Sequence, residues 1–91
     1  MQVHEGQLTQ VNFKYEIDGS TWCYGVIVAV FGGKFLVRRE HGGLTMVHMD
    51  NSDVPMTNAD GTFHVTPLSH PDGNPVLLKR SWRGKYKFPK Y

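Results

Sequence analysis

Apolar and polar residues along this chain alternate with a period of two, and the alternation predicts strands. Val11, Phe13, Tyr15 and Ile17 fall on one face, with Asn12, Lys14 and Glu16 on the other, as a half-buried strand requires. Asp18-Gly19 then supplies the pair expected in a two-residue hairpin turn. The run WCYGVIVAVF at residues 22–31 is the most apolar stretch, and Gly32-Gly33 closes it with a second tight turn. Residues 34–39, 44–49 and 62–66 read as further strands. They are separated by the turn formers Glu40-His41-Gly42-Gly43, by residues 50–55 ending in a proline, and by Asn58-Ala59-Asp60-Gly61. No segment carries the pattern of a three-turn helix.

The two turns together predict a register. An Asp18-Gly19 turn sets Tyr15 opposite Trp22, Phe13 opposite Tyr24 and Val11 opposite Val26. A Gly32-Gly33 turn pairs Phe31 with Lys34, Val30 with Phe35 and Val28 with Val37. Both place their large residues on a single inner face, which a slip of one residue would destroy. Leu44, Met46 and His48 join that face for a loop of either two or four residues, and Phe63 and Val65 join it from the next strand. The opposite face carries Ile27, Ala29, Phe31 and Leu36, too apolar to be left in water. Either residues 76–78 and the terminal aromatics cover it, or a partner does, with Ile27, Phe31 and Leu36 as a protein interface or homodimer contact. The long second strand is expected to bend at Gly25.

These elements describe a single all-β domain over residues 1–91, a small barrel or strongly curled antiparallel meander of five to six strands. Residues 1–10 show no period and read as a loose arm or an edge strand. Residues 11–66 form the body, residues 67–75 a proline-rich loop, and residues 76–91 a basic-aromatic terminal strand or tail. The meander GSTWCYGVIVAVFGGKFLVRREHGGLTMVHMD resembles the SH3-like small barrels, the class that includes Tudor and KOW modules. The Tudor resemblance implies an aromatic cage for a methylated ammonium group, built from Phe13, Tyr15, Trp22 and Tyr24. The cross-strand register assigns the same four residues to the core instead.

Charge adds a candidate surface. The net charge is only +2, yet residues 1–78 hold four basic against eight acidic residues, while residues 79–91 hold six basic and no acidic ones. In KRSWRGKYKFPKY, Arg83, Lys85 and Lys87 alternate with Trp82, Tyr86 and Phe88. One reading is a nucleic-acid contact in which Lys79, Arg80, Arg83, Lys85, Lys87 and Lys90 neutralise phosphates and an exposed Trp82, Tyr86, Phe88 or Tyr91 stacks on bases. Arg38 and Arg39 would add a second basic point. The other is a terminal strand with packed aromatics and solvated charges. An acidic protein is the alternative partner, in the style of the small regulators that phages and mobile elements carry.

Catalytic and metal chemistry find no support in the pattern. Cys23 is the only cysteine, so neither an intrachain disulfide nor a Cys-based zinc site can form. His41, His48, His64 and His70 lack a ligand spacing. No phosphate loop is present, since no helix follows either glycine pair. The expectation is a non-enzymatic binding module without metal or cofactor. The chain also lacks a membrane-length apolar window and a signal-like start, so a soluble, cytoplasmic protein is expected.

Overall fold

A computed structural model describes residues 3–13, 21–50 and 55–90. Six strands form one antiparallel sheet: β1 (Leu8–Phe13), β2 (Trp22–Phe31), β3 (Lys34–Arg39), β4 (Leu44–His48), β5 (Met56–Thr57) and β6 (Phe63–Pro67). Their spatial order is β4-β3-β2-β1-β6-β5. A lone bridge from Val47 to Asn58 brings the two edges together, so the sheet curls into a nearly closed barrel. The architecture is all-β, with no helix among the described residues, and is compatible with a small SH3-like barrel. The inside is filled by Val11, Cys23, Ile27, Phe35, Val37, Val47, Met56, Phe63 and Val65.

The β2–β3 hairpin begins as its turn predicts, with Phe31 opposite Lys34 and Val30 opposite Phe35. Beyond Ala29 the register shifts, because Val28 is an extra residue: Ala29 faces Leu36, but Ile27 faces Val37. The bend in the long strand is therefore a bulge at Val28, not at Gly25. This one residue reverses the faces of the first half of β2. Cys23, Gly25 and Ile27 point inward there, and Trp22, Tyr24 and Val26 outward. Ile27, expected on the outer face, is fully buried in the core. Size explains the choice, since a barrel already holding Phe35 and Phe63 has room for cysteine, glycine and isoleucine but not for tryptophan and tyrosine beside them.

Gly25 has a different role. A Cβ there would lie 2.6 Å from Val37 Cγ1 and 2.8 Å from Thr9 Oγ1, so the missing side chain lets β1 and β3 close over β2.

The first hairpin is also out of the expected register. Val11 lies opposite Cys23 and Leu8 opposite Val26, three residues away from the expected register. Asp18-Gly19, Tyr15 and Ile17 lie outside the described residues. Strand β1 starts at Leu8, three residues before the apolar alternation, because Thr9 occupies an inward position that a polar residue disguises. Gln7 is also buried. Its Nε2 donates to the Leu68 carbonyl (3.0 Å), and its Oε1 accepts from the His4 amide (3.0 Å).

Thr9 Oγ1 is buried with no hydrogen-bond partner among the described residues. Removing it without changing shape should help, because an unpaired buried hydroxyl costs about 1–3 kcal/mol. Thr9→Val is expected to raise stability by about 1 kcal/mol in urea denaturation. A lowered midpoint would mean that the hydroxyl is satisfied in solution.

Strand β4 is also reversed. Thr45 and Val47 are buried, while Leu44 and His48 are exposed and Met46 is half-buried. The cause is the loop: the Arg39 amide donates to the Gly43 carbonyl (2.9 Å) and the Gly42 amide to the Arg39 carbonyl (3.0 Å). Three residues, Glu40-His41-Gly42, make the turn, with Gly42 at a left-handed φ of 98°. An odd loop turns the following strand over, whereas loops of two or four residues would not. Phe63 and Val65 of β6 point inward as the alternation predicts.

Candidate nucleic-acid interface

The C-terminal segment doubles back over the outer face of the barrel. Its first part runs beside the start of β1: the Leu8 amide donates to the Val76 carbonyl and the Leu78 amide to the Gly6 carbonyl, both at 2.8 Å. Tyr86 rests against Gly6, where a Cβ would meet its ring edge at 3.5 Å. Leu8 and Val26 face away from the barrel interior and are nevertheless buried, so this part of the apolar outer face is covered from within the chain.

Residues 80–86 fold into a miniature hairpin. Arg80 bridges Tyr86, the Ser81 amide donates to the Lys85 carbonyl (2.7 Å), and the Gly84 amide donates to the Ser81 carbonyl (2.8 Å). Ser81 Oγ also accepts from the Lys85 amide at 3.1 Å. The loop repeats the hydrogen-bond pattern of residues 39–43, with Gly84 in the left-handed conformation. Trp82 and Arg83 therefore occupy the tip. Trp82 is 88% exposed, and the Arg83 guanidinium carbon sits 4.7 Å from its ring centre. Arg80 packs 5.6 Å from the Tyr86 ring centre and reaches Glu5 at 3.7 Å, an exposed pair of little energetic consequence.

Between this hairpin and the β2–β3–β4 outer face runs a groove in two adjoining hollows. The larger, of about 510 Å³, is lined by aliphatic Val28, Leu36 and Leu44, by Arg38 and Arg80, by three glycines and by Tyr86. The smaller, of about 260 Å³, has Val26, Tyr86 and Phe88 with Arg38, Arg39, Lys85, Glu40 and Gly42. Arg38, Gly42 and Tyr86 belong to both, so the hollows form one trough with Arg38 and Tyr86 at its middle. The Glu40 carboxylate in the smaller hollow accepts from the Tyr24 amide at 3.1 Å, which holds it against the backbone.

The sequence-derived residues divide by position. Arg38, Arg80, Lys85 and Tyr86 come together around the groove, while Trp82 and Arg83 line neither hollow and sit at the tip of the hairpin whose Arg80 and Gly84 line the larger one. Lys79, Lys87 and Lys90 are exposed and line neither hollow. Arg39 also lines the smaller hollow, but its guanidinium is turned away from Arg38 and engaged elsewhere. Its guanidinium carbon lies 4.5 Å from the Phe63 ring centre and its Nη1 donates to Thr45 Oγ1 at 2.7 Å, so it closes one end of the barrel. Val28, Leu44 and Gly42 enter the groove without a local signal in the sequence, whereas Phe88 follows the terminal alternation. Tyr91 lies outside the described residues.

The protein-interface residues do not share a surface. Ile27 is in the core, Leu36 lines the groove, and Phe31 is 45% exposed at the far end of the β2–β3 hairpin with the Lys34 ammonium 5.8 Å from its ring centre. Nor do Phe13, Trp22 and Tyr24, the described members of the aromatic set, come together as a cage. Trp22 and Tyr24 pack edge to face at 4.9 Å on the outside, Phe13 packs on Phe63 at 4.9 Å, and Tyr15 lies outside the described residues.

Cys23 fills the core. Burial pushes its thiol above the ordinary value, opposed only in part by the Glu40 amide, which keeps it a neutral thiol near pH 7. The Asp60 and Asp72 carboxyls lie below the ordinary value because neighbouring Thr62, Asn58 and Asn74 groups donate to them within their own turns. No three His, Cys, Asp or Glu residues cluster as metal ligands among the described residues. No helix among them is long and apolar enough to cross a membrane. Comparison with known families, curated proteins and solved structures yields no significant match.

Proposed function

We propose that this protein is a non-enzymatic nucleic-acid-binding module of the SH3-like, Tudor/KOW type, and that the groove beneath its C-terminal hairpin is the binding surface. The observation that carries the reading is the convergence of Arg38, from the barrel, with Arg80, Lys85 and Tyr86, from the terminal segment, around one trough. Cations beside an apolar floor suit a chain that carries phosphates on one side and flat bases on the other.

The test is a titration of the intact protein with a labelled mixed-sequence oligonucleotide at several salt concentrations. With Arg38, Arg80 and Lys85 at the groove and Arg83 at the hairpin tip, log K is expected to fall with log salt at a slope of about −3 to −4. Absence of binding at low salt would sink the proposal. A slope near zero would equally sink it, because phosphate contacts always release counterions.

A further inference from the structure

We infer that the groove takes single-stranded nucleic acid, with one base stacked on Trp82 and the following nucleotides laid along the trough; this rests on the nucleic-acid reading above. Trp82 does no work for the fold. It sits at the tip of a turn, 88% exposed, in a position that a polar residue would fill at no cost to packing. The Arg83 guanidinium lies over the ring at 4.7 Å, which orients the ring and leaves most of it open to a ligand.

The rest of the groove matches the same ligand. Arg80 and Gly84 flank the tip and also line the larger hollow, so the hollow begins within two residues of Trp82 along the chain and adjoins the base of the tip. There Val28, Leu36 and Leu44 present an aliphatic surface beside Tyr86, while Arg38 and Arg80 supply charge. Paired bases keep their faces inside the duplex and offer phosphates and base edges to a protein. A duplex would therefore leave both Trp82 and the aliphatic floor unused. An unpaired strand exposes base faces and sugars to the floor and its phosphates to the arginines. The volume of about 510 Å³ is that of a site for a small molecule, which suits a nucleotide or two at a time.

The experiment compares oligo(dT) and oligo(rU) of about 12 nucleotides with a DNA duplex of mixed sequence, at one salt concentration, for the wild type and for Trp82→Ala. Circular dichroism first confirms that the exposed substitution leaves the fold intact, and Trp82→Tyr serves as the conservative rescue. The wild type is expected to bind at least one of the single strands about tenfold or more tightly than the duplex. Trp82→Ala is expected to weaken single-strand binding by about 5- to 150-fold, the range for losing one base–aromatic stack, with duplex binding unchanged. Tryptophan emission should be quenched by the single strand in the wild type and not in Trp82→Ala, where only Trp22 remains. Duplex binding as tight as single-strand binding, or an unchanged affinity for single strands in Trp82→Ala, would overturn the inference and leave the groove reading standing. Loss of binding to every probe at low salt would overturn both.

Discussion

Ile27→Asp is expected to abolish folding, whereas Leu36→Asp, on the partner strand of the same hairpin, is expected to leave a folded domain. Ile27 is fully buried between β1 and β3, and its backbone also pairs with the chain before β1: its amide donates to the Gln7 carbonyl (3.0 Å) and its carbonyl accepts from the Gly6 amide (2.7 Å). The substitution loses about 1.5–3 kcal/mol of apolar burial. It also places a carboxylate in a core that offers it no cation, at a cost of several kcal/mol more. The sum rivals the whole stability of a domain of this size, about 5–15 kcal/mol. Leu36 is half-buried on the groove side, where an aspartate can reach water, so its replacement should cost no more than about 1–2 kcal/mol. Thermal melts followed by circular dichroism separate the two outcomes. A cooperative, near-wild-type transition for Ile27→Asp would mean that β2 is not bulged at Val28 and that Ile27 faces outward after all.

That prediction turns on where the sequence could and could not be read. The all-β class, the positions of β2, β3 and β6, and the inward faces of Phe35, Val37, Phe63 and Val65 all follow from apolar alternation near unambiguous turns. Alternation tells which residues share a face, but not which face is inside once an odd residue intervenes. Val28 is one such residue, and the three-residue loop after Arg39 is another. Each reverses everything beyond it, which is why Ile27, Trp22, Tyr24, Leu44 and His48 all exchange sides together. A signal for the loops was present: Arg-Glu-His-Gly, His-Pro-Asp-Gly and Ser-Trp-Arg-Gly each place glycine fourth, where a left-handed residue closes an odd loop. Nothing comparable marks the bulge, which is chosen by how much volume the barrel can hold. Gln7 was equally illegible, since a buried amide is defined by the distant Leu68 carbonyl that it meets.

The candidate site was legible in its chemistry and not in its shape. The terminal alternation predicts that Tyr86 and Phe88 pack while Lys85 and Lys87 face water, and both aromatics are half-buried. Trp82 departs from the pattern because the turn lifts it off the surface. The groove itself joins β-strand residues to a segment some forty positions later in the chain, through contacts no local period encodes.

Joint reversal of Arg38 and Arg80 is the sharpest test of that convergence. Arg38→Glu with Arg80→Glu is expected to weaken oligonucleotide binding about a thousandfold at moderate salt. Like charges facing each other across an interface cost several kcal/mol, and each 1.4 kcal/mol is a factor of ten. Both side chains are exposed, and what Arg80 loses among the described residues, the pair with Glu5 and a 3.3 Å hydrogen bond to the Gly84 carbonyl, is solvent-exposed and contributes little to stability, so the fold should survive. The control is Lys79→Glu with Lys90→Glu, which changes the net charge by the same amount at positions lining neither hollow. It is expected to reduce affinity by no more than about tenfold, through the general field of the protein alone. Equal losses in the two double variants, measured by fluorescence anisotropy at matched salt, would mean that the terminal segment attracts nucleic acid by total charge and that the groove has no special part in holding it.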